Sequence, residues 1–188
     1  MRQHPIFLHF LLPAVCFAPA AIGCSFHALE VQLDRMYPGS FPVAVALRNA
    51  ADKGVIDSAA LAASGTGTTN YIYTVHFLQS FGKVLAVSPA AGELPANFSL
   101  GYVDSQLWAR YSQSDGKIRV DIHTDGPAAG EPVVLTGEVV LVQVLAGKLT
   151  VDRALADGML LIDGSERDQA VIRHALKTTS IANNVSRR

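Results

Sequence analysis

The sequence predicts an α+β fold, in which the strands of a mostly antiparallel sheet pack against helices. Three observations support this prediction. Apolar and polar residues alternate over residues 117–124, which is typical of a half-buried strand. Apolar residues recur at helical spacing over residues 70–86. Residues 133–164 combine a strand, two helices and a strand, with Gly147, Gly158 and Gly164 as stops.

The composition fits one globular domain and excludes several classes of protein. Of the 188 residues, 49% are hydrophobic and 16% are charged. The formal net charge is −1 and aromatic residues make up 7%, so the chain lacks both the basic surface and the stacking side chains of a nucleic-acid-binding protein. We therefore expect no nucleic-acid partner.

Residues 1–23 have the layout of a secretory signal peptide. Arg2 precedes an apolar run that Pro13 and Pro19 interrupt, and small residues follow up to Gly23. The run is shorter than the roughly 20 apolar residues that a membrane-spanning helix needs, and its prolines disfavour a stable helix. The sequence therefore predicts export, to the periplasm or to a membrane-anchored position in a bacterial envelope.

Cys24 is a candidate lipidation site that would tether the protein to a membrane. The run Ala21-Ile22-Gly23-Cys24 resembles a bacterial lipobox, although Ala21 stands where that motif usually has Leu. The alternative is ordinary cleavage after Gly23, which would leave Cys24 as an unmodified thiol. Cys16 lies inside the leader, so we expect no internal disulfide in the mature protein.

Residues 24–67 are predicted to form a helical N-terminal extension. Pro42 suits the first turn of a helix that begins near Ser40 and ends at Gly54, before a short alanine-rich segment. Residues 64–69 read as a flexible linker. Gly65 and Gly67 are not a phosphate-binding loop, because the third glycine, the lysine and the preceding strand of that motif are missing.

A long helix and three strands are predicted next. The helix covers residues 70–86, and its buried face should carry Tyr71, Val75, Leu78 and Leu85. After a loop at residues 89–95, strands are predicted at residues 98–102, 107–111 and 117–124. Asp115-Gly116 suits the tight turn of the second hairpin.

The final third begins with a strand at residues 133–136. Thr136 is predicted to cap a helix that ends at Gly147 and is apolar on every side, so it must be buried or line a cavity. Thr150 should cap a short helix before the strand at residues 159–162, and Ser165 should cap the last helix. Residues 181–188 are predicted to be a disordered tail.

Part of this region resembles the sterol carrier protein 2 (SCP2) family. The similar run is Leu145-x-Gly147-Lys148-Leu149-Thr150, then Ala154-Leu155, then Gly158-Met159-Leu160-x-Ile162-x-Gly164. The strand with Trp108 and the turn at Asp115-Gly116 are also similar, whereas Ser165 stands where the family commonly has Asp. The resemblance implies a five-stranded, mostly antiparallel sheet covered by helices, here assigned to residues 68–180.

The resemblance also implies an apolar tunnel between sheet and helices that holds lipid-like ligands. Burial of apolar area would then supply the affinity. The alternative is that the same residues form a filled core. The candidate ligand-binding residues are Phe98, Leu100, Trp108, Ile118, Val120, Ile122, Leu135, Leu141, Leu145, Leu155 and Met159.

The expected function is that of an exported, non-catalytic protein that binds a hydrophobic or lipid-like small molecule. The alternative is an accessory subunit of an envelope protein complex, with a filled core and no ligand. Haem-attachment and nucleophile-elbow motifs are absent from the sequence, so we expect no enzyme activity and no cofactor.

The histidines of the predicted mature chain are too scattered to form a local metal-binding motif, so we expect no metal. They are His27, His76, His123 and His174. Cys24-x-x-His27 has a metal-ligand span but would be destroyed by lipidation. His76 is predicted to lie in the core or at its rim, and His123 on the wet face of its strand.

Overall fold

The structure, a computed structural model, describes residues 36–64 and 67–185. The predicted leader, Cys24 and His27 lie outside the described residues. The helices are α1 (Ser40–Asp52), α2 (Ser58–Ala63), α3 (Gly67–Ala86), α4 (Glu138–Leu145), α5 (Val151–Ala156) and α6 (Glu166–Val185), with a 3-10 turn at Ala91–Glu93. The strands are β1 (Asn97–Tyr102), β2 (Leu107–Ser114), β3 (Lys117–Ile122), β4 (Val133–Thr136) and β5 (Leu160–Asp163).

The five described strands form one sheet in the order β3-β2-β1-β4-β5. The β1–β4 pair is parallel, and the other three pairs are antiparallel. Asp115 and Gly116 have φ angles of 51° and 70°, the left-handed values that a two-residue hairpin of matching twist requires. The predicted α+β class and the mostly antiparallel five-stranded sheet are confirmed.

One face of the sheet, here called the helix face, lies against α3 and α6. Side chains alternate between faces along a strand, and the cross-strand pairs Phe98–Tyr111 and Tyr111–Val120 place these three residues on it. A Cβ added to Gly82 of α3 would lie 2.5 Å from Val120 Cγ2. The helix therefore lies directly on β3, and glycine permits that distance.

The other face of the sheet is covered in part by the loop at residues 123–132, which joins β3 to β4. Glu131 attaches this loop to the sheet. Its carboxylate accepts hydrogen bonds from Ser99 Oγ at 3.0 Å and from Arg110 Nε at 3.1 Å. Arg110 also donates to the carbonyl of Gly126 at 3.3 Å. A buried carboxylate thus fixes the crossing that makes β4 parallel to β1.

Helices α1 and α2 belong to the predicted N-terminal extension, and α1 packs against the same core as the sheet. Val43 and Leu47 are buried in that core. A Cβ added to Gly137 would lie 2.9 Å from Leu47 Cδ1, so α1 lies close to the start of α4. The helix predicted near Ser40 is confirmed at that residue, with Pro42 in its first turn.

The cap predicted at Thr136 is wrong. Gly137 precedes α4 without a side-chain cap, and the Thr136 hydroxyl donates to the carbonyl of Met159 at 2.9 Å. Asp104 Oδ2 instead accepts the backbone N–H of Glu138 at 3.1 Å. The first turn of α4 is therefore capped by the Asp104 carboxylate and not by the Thr136 hydroxyl.

Two other caps and two stops are confirmed. Thr150 Oγ1 accepts from the backbone N–H of Arg153, and Ser165 Oγ accepts from that of Asp168, each at 3.2 Å. Gly147 and Gly158 end α4 and α5 with φ angles of 69° and 72°. Five of the eight residues of the helix predicted to be apolar on every side are buried, whereas Glu138 and Gln143 are half-buried and Val142 is 40% exposed.

The predictions for the start of α3 differ from the structure. The helix begins at Gly67, inside the predicted linker, and Asn70 Nδ2 donates to the carbonyl of Ala63 at 2.9 Å. Tyr71, predicted to be buried, is 41% exposed, because the first turns of α3 extend past the end of β3. His76, predicted to lie in the core or at its rim, is exposed on the outer side of α3.

His123 also departs from its prediction. β3 ends at Ile122, and His123 follows it with a φ of 64°, so it does not share the strand face of Arg119 and Asp121. Its Nε2 lies 2.7 Å from Tyr71 Oη. The predicted strand over residues 117–124 is therefore two residues too long.

Candidate functional site

An apolar void lies between the helix face of the sheet and helices α3 and α6. Its volume is about 10 Å³, which is room for about one water molecule. Every residue that lines it is apolar. The lining residues are Phe81, Leu85, Leu94, Phe98, Leu100, Val134, Ile172, Ala175 and Leu176.

An aromatic cluster stands beside the void. Phe98 stacks on Tyr111 with ring centroids 4.8 Å apart, and Phe81 of α3 meets the same tyrosine edge to face at 5.6 Å. The Tyr111 hydroxyl donates to the carbonyl of Leu78 at 3.2 Å. Burial raises the pKa of Tyr111, so the hydroxyl stays neutral and links α3 to the sheet.

Phe98 and Leu100 are the two predicted ligand-binding residues that line the void. Ile118, Val120 and Ile122 lie on the same face of the sheet but farther along, towards the edge strand, where they are half-buried. The structure thus brings the β1 and β3 candidates onto one face. It does not bring the β3 candidates to the void.

Trp108 and Leu135 lie on the opposite face of the sheet. A Cβ added to Gly101 would lie 2.8 Å from Trp108 Cζ3 and 2.9 Å from Leu135 Cδ2, so both side chains lie over this glycine. Tyr37 meets the Trp108 ring edge on at 6.1 Å. These two candidates cannot share a cavity with Leu100, because the sheet itself separates them.

The remaining candidates pack elsewhere around the core. Leu141 and Leu145 are buried in α4, Leu155 is half-buried in α5, and Met159 is fully buried just before β5. None of the four lines the void. The predicted set therefore divides among several parts of the core, with two of its members at the void itself.

Sequence reasoning missed most of the residues that line the void. Phe81 and Leu85 from α3 and Ile172 and Leu176 from α6 form its roof. Helical spacing does identify these residues as inward-facing. It does not say which strand each helix covers, so helical spacing alone cannot assign these residues to the void.

The described residues contain no group of three or more His, Cys, Asp or Glu side chains arranged to hold a metal ion. Across residues 36–64 and 67–185, no helix has the length and apolar character to cross a membrane.

No protein-family model matches the chain, and no curated protein matches it. One similar solved structure is the inverting sec-alkylsulfatase Pisa1 from Pseudomonas sp., with 16% identity and a TM-score of 0.41 over 52% of this chain. The match spans 15% of the sulfatase's own length.

Two further similar structures carry the sterol carrier name in their descriptions. One is the UbiJ-SCP2 ubiquinone synthesis protein, with 15% identity and a TM-score of 0.42 over 59% of this chain and 98% of that one. The other is the conserved hypothetical protein TT1886 from Thermus thermophilus, described as a possible sterol carrier protein. It has 16% identity and a TM-score of 0.34 over 57% of this chain and 76% of that one.

Proposed function

We propose that this chain is an exported, non-catalytic module that binds a hydrophobic small molecule between the helix face of the sheet and helices α3 and α6. The observation that carries the proposal is the void there, whose lining is entirely apolar. Such a lining offers no polar group to orient a reacting substrate. It does offer the burial of apolar area, worth about 25 cal/mol per Å².

The site must widen to accept a ligand. Sites for drug-sized molecules enclose roughly 300 to 1,000 Å³, and the void has about 10 Å³. Its floor is held by the hydrogen-bonded pairing of β1 with β4. Its roof is made of side chains from α3 and α6, and we expect ligand entry to separate these two helices from the sheet.

A fluorescent fatty acid tests this proposal with a pair of variants on one helix. Ala175 lines the void and is 1% exposed, whereas Ala170 is exposed on the same helix. We expect saturable binding to the unmodified chain, a loss of at least about tenfold in Ala175→Phe, and no change in Ala170→Phe. Filling a core site itself costs about 1 to 3 kcal/mol, so thermal unfolding should confirm that both variants are folded.

A second variant keeps the test independent of the stability of the first. Leu85→Ala removes lining atoms and enlarges the void, so it should bind the fatty acid at least as tightly as the unmodified chain. The absence of saturable binding to the unmodified chain would contradict the proposal. So would equal losses in Ala175→Phe and Ala170→Phe.

The size of the void favours a second candidate function. A space of about 10 Å³ is that of a filled core. This candidate is an accessory subunit of an envelope complex that binds protein rather than lipid. Native mass spectrometry of the purified chain separates the two functions, since a co-purified lipid supports the first and a lipid-free mass with a stoichiometric protein partner supports the second.

The same spectrum tests the proposed processing at Cys24. Cleavage after Gly23 would give a mass that begins at Cys24, and lipidation would add the mass of the acyl groups. A full-length mass after expression in a bacterium would contradict both the proposed export and the membrane tether.

A further inference from the structure

A separate cleft lies between α2 and α3, away from the apolar void. It has a volume of about 200 Å³ and is lined by Ala60, Ala63, Ser64, Asn70, Tyr73 and Glu138. Glu138, the first residue of α4, is the acidic member of this set. The cleft therefore combines small apolar side chains, one aromatic ring and one carboxylate.

The Glu138 carboxylate has a hydrogen-bond donor and no ionic partner among the described residues. Thr74, which is 3% exposed, donates its hydroxyl to Glu138 Oε2 at 2.6 Å. Within residues 36–64 and 67–185, no hydrogen bond reaches Glu138 Oε1, and no Lys, Arg or His pairs with this carboxylate. Among the described residues, its second oxygen is therefore open to a ligand.

A second carboxylate, that of Asp104, contacts the backbone of Glu138. Asp104 Oδ2 accepts the backbone N–H of Glu138 at 3.1 Å, and its Oδ1 accepts that of Ser105 at 3.0 Å. Burial raises the pKa of Asp104, and the charge of Glu138 raises it further, whereas these hydrogen bonds lower it. Two neighbouring carboxylates that are partly buried cost folding free energy, unless a proton or a cation compensates their charge.

Tyr102 carries a buried hydroxyl that does not line the cleft. Tyr102 is completely buried, and its Oη has no hydrogen-bond partner among the described residues. Burial raises the pKa of Tyr102, the neighbouring Tyr111 raises it further, and so do the charges of Glu138 and Asp104. The described lining of the cleft itself carries one carboxylate and no cationic side chain.

We propose that the cleft between α2 and α3 binds an organic cation, the ammonium group of a small amine whose apolar body lies against Ala60, Ala63 and the ring of Tyr73. The ammonium donates to Glu138 Oε1. The Tyr73 ring supplies an aromatic surface of the kind that attracts cations. A volume of about 200 Å³ lies below the roughly 300 Å³ of a drug-sized site, so the ligand is small.

Calorimetric titration of the purified chain with n-hexylammonium tests this inference, with hexan-1-ol as the neutral probe. We expect saturable binding of the ammonium ion and at least tenfold weaker binding of the alcohol. Glu138→Gln should weaken ammonium binding by about tenfold or more, because a hydrogen bond to a charged group is lost. Glu138→Gln keeps an oxygen that can accept from Thr74, so the local packing is retained.

Glu166→Gln is the matched control, because Glu166 is also an acid at the first position of a helix, here α6. It should leave ammonium binding unchanged. Tyr73→Ser alters a side chain that is 67% exposed, and it should weaken binding by several-fold without unfolding the chain. Equal affinity for hexylammonium and hexanol, or equal effects of Glu138→Gln and Glu166→Gln, would overturn the inference.

Discussion

The two faces of the sheet both carry apolar side chains, but they differ in the polar contacts that hold their covering segments. The helix face is covered by apolar side chains of α3 and α6, and a hydrogen bond from Tyr111 to the carbonyl of Leu78 links α3 to it. The opposite face is crossed by a loop that the buried Glu131 carboxylate ties to Ser99 and Arg110. Apolar contacts are non-directional, whereas a charged hydrogen-bonded group fixes one geometry. The helix face is therefore the one that can rearrange around a ligand.

Removing the Glu131 carboxylate should have the largest effect on the free energy of unfolding. Its side chain is 6% exposed and that of its partner Arg110 is 31% exposed, so Glu131→Ala should lower the free energy of unfolding by about 3 kcal/mol, the lower end for breaking a buried ion pair. Urea denaturation measures this. Arg119→Ala breaks an ion pair whose side chains are 78% and 38% exposed, and it should cost less than about 1 kcal/mol. Equal losses in the two variants would remove the contrast between the faces.

A cavity in the helix face should have the next largest effect. Leu85 is 2% exposed and lines the void, so Leu85→Ala should cost about 2 to 3 kcal/mol and leave a dry apolar cavity. Benzene should then raise the melting temperature of the variant but not that of the unmodified chain. Val87→Ala, at a residue that is 82% exposed, serves as control. If benzene stabilised neither protein, the helix face would be too rigid to hold a guest.

The hydrogen bond between α3 and the sheet should have a smaller effect. Tyr111→Phe removes the hydrogen bond to the Leu78 carbonyl and should cost about 1 kcal/mol. Tyr73→Phe, on the exposed side of α3, should cost nothing measurable. Hydrogen exchange in α3 sharpens the comparison, because its amides should exchange faster in Tyr111→Phe if this bond restrains the helix. Unchanged exchange would mean that apolar packing alone holds α3.

The smallest expected effect is a dependence of stability on pH at Asp104. Burial raises the pKa of this carboxyl in the folded chain above its ordinary value of 3.8, so between the two values the folded state binds more protons than the unfolded state. The contribution of Asp104 to stability therefore falls as pH rises from its ordinary pKa through the raised one. The stability of Asp104→Asn relative to the unmodified chain should increase over that interval. A difference that stays constant with pH would contradict this expectation.

Local signals in the sequence are enough to place most elements of the fold. Thr150, Ser165 and the pair Asp115-Gly116 act through neighbours a few residues away, and the structure confirms all three. Thr136 cannot be assigned in this way. Its hydroxyl bonds to Met159 because β4 and β5 are paired, and the backbone N–H of Glu138 is taken by Asp104. Both contacts depend on tertiary structure.

The candidate site is less predictable than the fold for the same reason. Alternation separates Leu100 from Gly101, but the face of Trp108 follows from its pairing with Gly101, and that register is not visible in either strand alone. The residues of α3 and α6 at the void depend in the same way on which strands these helices cover. The pattern identifies buried residues and cannot sort them into one cavity.

The parallel pairing of β1 with β4 implies an order of assembly. β1, β2 and β3 are joined by short turns, so they can pair soon after they emerge from the ribosome, whereas β4 must wait for the loop at residues 123–132 to cross the sheet. Until then β1 presents an open edge, and such edges recruit strands from other chains. Refolding yield should therefore fall as protein concentration rises, and a yield independent of concentration would show that β4 closes before a second chain arrives.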